Sequence, residues 1–338
     1  MRKVRWGLLA TGAIANSFAK GVLHSEYGEL QAVASRQQST ADAFAHTYTI
    51  PKAYGTYEAL LQDPNVDAVY ISTPHPQHVQ WIELAARAGK HILCEKPLTM
   101  NYEQALRAAA CARTHDVLLM EAFMVRCHPL IDELRKLITE KALGHVRLIK
   151  ATFSFHCDYD PSSRLLNKSL GGGGILDVGC YTTSLARLIA GLAIGQPFSD
   201  PLQVLGAAGL IETGVDGWAA ATLKFPGNIL AQVNCGCQLH QENGLYVYGS
   251  AGRLRIPNCW VPAIEGGAHS IFIEHNGLPE KEIIIQTNRW LYSLEVDAFA
   301  RALHAGLRSV PEVPIEDTLG NVKTLELWLQ QAGVSYAD

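Results

Sequence analysis

Short apolar runs alternate with amphipathic stretches through the first third of the chain. Continuous apolar runs at 4–9, 30–34, 68–72, 91–94 and 117–121 predict strands, and helix-period patterns fill the gaps at about 13–24, 39–47, 56–62, 76–88 and 101–114. Strands without a polar face belong in a parallel sheet covered on both sides, so this part reads as a doubly wound α/β sheet of about 120 residues. Asp63-Pro64-Asn65 breaks the chain before the third strand, and Gly89-Lys90 ends the helix before the fourth. After Pro129 the rhythm changes. A helix at about 130–141 leads to a strand at 146–156, and glycines 171–174 open a helix that runs to about 190. Strands are then predicted at 202–210, 216–225, 229–238, 244–249, 252–256, 271–275 and 281–286, many alternating apolar with polar residues. That alternation predicts a large, mostly antiparallel open sheet with one face under helices. Helices at about 289–305 and 316–333 close the chain. The expected division is 1–122 and 123–338.

The first βαβ unit carries the most informative chemistry. Ala10-Thr11-Gly12-Ala13-Ile14-Ala15 lies between a strand and a helix. A helix N-terminus there offers unpaired N–H groups and a positive dipole end, on which a pyrophosphate can sit. Ala10 stands where G-x-G-x-x-G/A expects its first Gly, yet the βαβ context points to a dinucleotide site in a Rossmann domain, an ordinary βα turn being the alternative. Thr11, Gly12, Ala13, Ile14 and Ala15 are the expected contacts. The second strand ends in Ser35-Arg36-Gln37-Gln38, with no carboxylate before Asp42. A carboxylate would repel a 2′-phosphate, whereas a guanidinium and a hydroxyl bind it, so Ser35 and Arg36 favour NADP(H) over NAD(H).

At 338 residues, 48% hydrophobic and 18% charged, the chain is globular with ample core for about two domains. Its net charge of −4 and lack of a basic tail speak against nucleic acid or anionic membrane as partner. The 8 cysteines are scattered, as expected for reduced thiols in a cytoplasmic protein. Cys235 and Cys237 have no second pair at ligand spacing, so no metal is expected. Arg2, Lys3 and Arg5 before an apolar run mimic a signal peptide, but cleavage after Ala15 would destroy the first strand. No run reaches the ~18 uninterrupted apolar residues of a membrane span.

Further clusters fall where strands end, the edge at which open α/β sheets bind ligands. Glu95-Lys96-Pro97 closes the fourth strand. Lys96 can hold or protonate a substrate oxygen, and a desolvated site would move its pKa toward neutrality; a solvated cap is the plainer reading. In Gly171 to Tyr181, Asp177 and Tyr181 are four apart and would share a helix face. A phenol of reference pKa ~10 works in proton transfer near neutrality only beside a cation such as Lys96. Arg126 and His128 follow the fifth strand, where a polar pocket or linker packing would use them. Thr73-Pro74-His75-Pro76-Gln77-His78 reads as cofactor contacts or a helix start rather than a metal pair.

These clusters, in this order, resemble the glucose–fructose oxidoreductase / inositol dehydrogenase / MocA family over essentially the whole chain. Glu95-Lys96-Pro97 is its most recognisable mark. The segments 73–78, 121–129 and 160–165, leading into Asp177-x-x-x-Tyr181, are similar to the branch of dimeric dihydrodiol dehydrogenases and NADP-dependent D-xylose dehydrogenases. The resemblance implies a cis bond at Lys96-Pro97 and hydride transfer at C4 of nicotinamide. The substrate would be a sugar, polyol or trans-dihydrodiol. Tyr181 stands where the inositol branch has His, which implies proton transfer by Tyr181 with Lys96 assisting, or the two roles exchanged, and Asp177 orienting the sugar hydroxyls or the lysine. Thr73, Pro74, His75, His78, Glu95 and Lys96 become expected cofactor contacts. Pocket shape should depend on 124–128, 153–164 and 234–240, with Arg126, His128, Phe155, Asp158 and Arg164 as candidate substrate contacts. Two other readings share this fold: a non-catalytic nucleotide sensor or co-regulator, and a glycosidase that uses bound NAD transiently. An open sheet with an apolar free face would be covered by another subunit, giving a homodimer or a higher homo-oligomer.

Overall fold

The computed structural model describes residues 2–336. Its first half runs β1 (Val4–Leu9), α1 (Ala13–Leu23), β2 (Gly28–Ala34), α2 (Gln38–Tyr48), β3 (Lys52–Tyr54), α3 (Tyr57–Leu61), β4 (Ala68–Ile71), α4 (His78–Arg87), β5 (His91–Glu95), α5 (Tyr102–Thr114) and β6 (Leu119–Ala122). The strands form a six-stranded sheet in the order β3-β2-β1-β4-β5-β6, every pair parallel. It has one strand more than the apolar runs predict. β3 is three half-buried residues at the sheet edge, too short to leave a hydrophobic signature. Strand order reverses between β1 and β4, so the carboxyl ends of these two strands flank the crevice where such sheets take ligands. Side-chain caps start two of the helices: Thr56 accepts the Ala59 N–H at 3.2 Å and Asn101 that of Gln104 at 2.9 Å.

The second half runs α6 (Pro129–Thr139), β7 (Val146–Ser154), α7 (Cys180–Ala193), β8 (Gln203–Leu210), β9 (Asp216–Phe225), β10 (Ile229–Gly236), β11 (Gly244–Gly249), β12 (Gly252–Pro257), β13 (Gly267–His275), β14 (Lys281–Thr287), α8 (Leu291–His304) and α9 (Ile315–Ala332). Eight strands form one sheet in the order β14-β13-β12-β11-β7-β10-β9-β8. All neighbours are antiparallel except β7 and β10. The chain leaves the sheet after β7, crosses it through α7 and returns, which makes that central pair parallel. β13 starts four residues before the apolar run at 271, because Gly267-Ala268-His269-Ser270 pairs with β14 without any hydrophobic pattern.

α7 lies on the inner face of this sheet, and every residue from Cys180 to Gly191 is buried. The segment Lys168–Ala193 is long and apolar enough by composition to cross a membrane, but 94% of its apolar window is buried inside the protein, as in a core helix. The outer face stays open. Leu205, Trp218 and Leu230 are exposed on β8, β9 and β10, while ion pairs Arg253–Glu274 and Arg255–Glu280, at 2.6 and 2.7 Å, occupy the other end.

The last two helices bind the halves together. α8 lies along α1, and α9 lies against α5, β6, α7 and β8. Phe299 of α8 meets Trp6 at 5.0 Å, and Trp6 meets Phe18 edge-on at 5.2 Å. Asp297 of α8 accepts the Tyr27 N–H at 2.9 Å. One hydrophobic core therefore runs from β1 and α1 through α7 and the large sheet.

Candidate active site

A cleft of about 460 Å³ opens where the carboxyl ends of β4 and β5 and the N-terminus of α1 face the large sheet and the turn before α7. One side of it is backbone. Ala10 has φ +91°, the left-handed region that glycine favours, so the turn keeps the geometry expected of the missing glycine. Gly12 starts α1 in extended conformation without a side-chain cap, and a Cβ placed there would meet no atom within 4 Å. The first N–H groups of α1 have no intrahelical acceptor and open onto this space. Gly12, Ala13 and Ile14 line the cleft, whereas Ala15 is buried in the core and Thr11 stands outside the lining. At the tip of β2, Ser35 is half-buried, its N–H bonded to Tyr54 O at 3.0 Å. Arg36 is exposed, and the nearest carboxylate in sequence, Asp42, is engaged by Gln38 at 2.8 Å. This open cradle fits the pyrophosphate of a dinucleotide, while Ser35 and Arg36 stand outside the cleft lining.

The opposite side is made of side chains. Gly171 and Gly173 take φ +72° and +112°, and a Cβ on Gly173 would lie 2.4 Å from Asp216 Oδ1. Asp216 accepts the Ile175 N–H at 2.7 Å. From there the chain forms a π-helical turn, Ile175–Gly179, that runs straight into α7. A regular helix would set Asp177 and Tyr181 one turn apart on one face; the wider turn changes that spacing, and both still line the cleft. Lys96 follows β5, with a cis peptide at Lys96-Pro97. Its Nζ donates to the Asp177 carbonyl at 2.6 Å and to Asp177 Oδ1 at 3.2 Å. Arg164 donates to the same Oδ1 at 3.0 Å. The ammonium lies 5.1 Å from the Tyr181 ring centroid, and the phenol donates to Met124 Sδ at 3.4 Å. Tyr70 donates a short hydrogen bond to Glu95, whose other oxygen accepts the Lys96 N–H at 3.3 Å.

Burial opposes every charge here, and the pairs decide the outcome. Burial alone would push Asp177 up, but the Lys96 ammonium and the Arg164 guanidinium hold it well below the usual carboxylate range. Burial likewise works against the Lys96 cation, yet Asp177 foremost, with Glu95, holds its pKa above the ordinary value. The expected drop toward neutrality is thus corrected: an ion pair at 3.2 Å outweighs desolvation. Tyr181 is pushed well above the ordinary phenol value by burial and by Glu95. His75 bonds Gly171 O through Nδ1 at 3.0 Å, and burial with neighbouring cations pushes it down to about 3, so its Nε2 is an acceptor near neutrality.

The cleft brings together Gly12, Ala13, Ile14, Thr73, His75, Glu95, Lys96, Phe155, Arg164, Asp177 and Tyr181 from the expected set. It does not bring in Pro74, which leads into a 3₁₀ turn. His78 is fully buried between Thr73 O and Pro97 O, at 2.8 and 3.0 Å, and braces the two strand ends from behind. Arg126 turns away to Asp317 at 2.9 Å and Ser184 at 2.9 Å, in a buried network with Arg187. His128 caps α6 by accepting the Leu130 N–H at 3.0 Å; burial pushes it down to about 4. Asp158 is exposed and outside the lining. Met124 and Phe153 lie in segments expected to shape the pocket, whereas sequence reasoning missed Ser17, Ser72, Val178, Val261 and Tyr292. Ser17 was visible in principle, one helical turn beyond Ala13 on α1. Tyr292 and Val261 carry no local signal. Phe153 stacks on Trp260 at 5.3 Å and meets Tyr181 edge-on at 5.4 Å, which makes the far wall aromatic. No group of three or more potential metal ligands gathers among the described residues.

The profile of an oxidoreductase family with an NAD-binding Rossmann fold matches residues 4–123, and that of the GFO/IDH/MocA C-terminal domain matches residues 131–255. Trans-1,2-dihydrobenzene-1,2-diol dehydrogenase of Mus musculus is 32% identical over 98% of this chain and 98% of its own. The enzyme of that name from Xenopus tropicalis is 33% identical over 98% of this chain and 99% of its own. Among solved structures, a 3-ketoreductase from Actinomadura kijaniata, bound to NADP and TDP-benzene, superposes with a TM-score of 0.87 at 27% identity, covering 98% of both chains. Aldose-aldose oxidoreductase from Caulobacter crescentus shares the fold, with a TM-score of 0.88 at 24% identity and 98% coverage of both chains.

Proposed function

The chain belongs to the GFO/IDH/MocA oxidoreductase family, and on that premise we propose that it is an NADP(H)-dependent enzyme acting on a CH–OH or carbonyl group of a sugar, polyol or trans-dihydrodiol. The observation that carries this reading is the meeting of Lys96, Asp177 and Tyr181 in the same cleft as the N-terminus of α1. Residues 1–122 would hold the nucleotide and 123–338 the substrate. The N–H groups at the start of α1 would hold a pyrophosphate, and Ser35 with Arg36 a 2′-phosphate. The NADP carried by the related 3-ketoreductase supports that preference. The chemistry supplied by the bound nucleotide is hydride transfer at its nicotinamide.

The protein's own groups then have separate tasks. Asp177 keeps Lys96 charged and uses two of its three N–H donors, leaving one for a substrate oxygen. An ammonium aimed at a carbonyl oxygen stabilises the negative charge that develops there. Tyr181, a neutral phenol, gives the proton in the reducing direction. In the oxidising direction the substrate proton must pass to the phenolate, which is scarce while burial holds the phenol's pKa high. Oxidation should therefore quicken as pH rises, and reduction should slow at alkaline pH. Phe153, Phe155 and Val261 keep water from the reacting carbon, and Asp177 with Arg164 offers a polar edge to neighbouring hydroxyls. A second copy would cover the open sheet face at Leu205, Trp218 and Leu230, which light scattering in solution would show as a doubled mass.

The test follows nicotinamide absorbance while aldoses, inositols, trans-diols and dicarbonyls are screened with NADP(H) and NAD(H). Turnover with NADP(H), reduced ~10²-fold or more in Tyr181→Phe, is expected. Full turnover in that variant, or a wild-type protein that binds neither nucleotide, would refute the reading.

A further inference from the structure

Two phenols border the cleft, and the mechanism uses only one. Tyr292, near the start of α8, is 6% exposed and belongs to the half of the chain opposite the nucleotide-binding turn. Its backbone seat is fixed, because a Cβ on Gly21 of α1 would lie 2.4 Å from the Tyr292 Cβ. Gly21, Ser17 and Ala13 are spaced four apart on α1 and share one face. From Gly21 the ring reaches the lining shared with Ser17, Ile14 and Glu95. Its hydroxyl makes no hydrogen bond to any described residue, whereas the Tyr181 hydroxyl has Met124 Sδ and that of Tyr70 has Glu95. The ring is buried while the hydroxyl opens onto the cleft without a protein partner, so it is free to bond a ligand there. The Thr73 hydroxyl, on the same lining, is buried and unpartnered.

Resting on the reading above, we propose that Tyr292 is a nucleotide ligand contributed by the second half of the chain, its hydroxyl bonding the ribose that carries the nicotinamide. The location argues for that part of the molecule. A nucleotide with its pyrophosphate on the N-terminus of α1 and its reactive ring toward Lys96 and Tyr181 must span the stretch between Ile14 and Glu95, and Tyr292 borders that stretch. The Lys96 ammonium stands over the ring of Tyr181, so the proton-transfer role stays with Tyr181, and Tyr292 acts in binding.

Calorimetric titration of Tyr292→Phe tests this, because the change keeps the ring on its seat against Gly21 and removes only the hydroxyl. Affinity for NADP⁺ should fall ~3–10-fold, while affinity for adenosine 2′,5′-bisphosphate, which lacks the nicotinamide ribose, should stay at the wild-type value. Tyr181→Phe should bind both as the wild type does and lose turnover instead. Equal affinity of Tyr292→Phe and wild type for NADP⁺ would overturn the proposal. An equal loss for both ligands would also overturn it, since that marks a general disturbance of the cleft. A wild-type protein that binds neither ligand would count against the cofactor reading itself.

Discussion

At one end of the cleft the protein faces its ligand with backbone from a single short segment, Gly12 to Ile14 at the start of α1. At the other end side chains do the work, and they come from far apart: Lys96 and Asp177 are separated by 81 residues, and Arg164 arrives from a third segment. The backbone end tolerates a change of residue type, since Ala10 adopts the left-handed turn that glycine would take. The side-chain end tolerates little, because Lys96 and Asp177 are buried and keep their charged forms through their partners, with Arg164 reaching in from a half-exposed position. Nucleotide binding and chemistry should therefore fail separately.

Lys96→Met gives the largest expected effect. Turnover should drop ~10²–10⁴-fold while nucleotide affinity, read by fluorescence titration, falls far less. A parallel loss of affinity would show that the two ends are one unit. Gly12→Val attacks the other end. The new side chain has open space around it, so stability without ligand should fall by no more than about 1 kcal/mol, whereas nucleotide affinity should fall on the order of 10–100-fold as backbone approach is blocked. Thermal melts with and without NADP⁺ separate the two effects.

The supports of the chemical end should also respond to pH. Glu121 accepts the Leu98 N–H at 2.8 Å just behind Lys96-Pro97, and Asp216 holds the start of the π-helical turn. Burial pushes each carboxyl up to about 7. A carboxyl raised in the folded state binds more protons there than when unfolded. Its stabilising contribution is complete below the unfolded pKa and is lost as pH rises toward 7, at about 3 kcal/mol for Glu121 and about 4 kcal/mol for Asp216. Melting temperature should fall between pH ~4 and ~7, and Asp216→Asn or Glu121→Gln should each flatten that slope. The smallest effect belongs to the turn: Ala10→Gly should raise stability by about 0.5–1 kcal/mol in chemical denaturation, by relieving a positive φ.

The same contrast explains what could be read from the chain alone. The strands of the first sheet are apolar runs, and the nucleotide turn is local, so both were legible. β3 and the first half of β13 lack hydrophobic pattern and were not. No spacing rule announces a π-helical turn, because glycines 171–174 read equally well as the start of an ordinary helix. Lys96, Asp177 and Tyr181 were identifiable as chemistry at strand and helix ends, but their protonation states depend on contacts between distant segments. Arg126, His128 and His78 show the reverse error. Polar residues beside a cleft look like ligands until tertiary structure gives them an ion pair, a helix cap or a pair of carbonyls to brace.

The return of α8 and α9 to the first sheet has a consequence for how such a chain can be altered. Severing it after Ala122 would strip Trp6 of Phe299 and leave the Tyr27 N–H without Asp297, so neither fragment would persist as a compact body. Grafting a new substrate half onto this nucleotide half would succeed only if the graft brought a closing helix whose side chains mesh with Gly21 and Trp6, a steric password set far from any reacting atom.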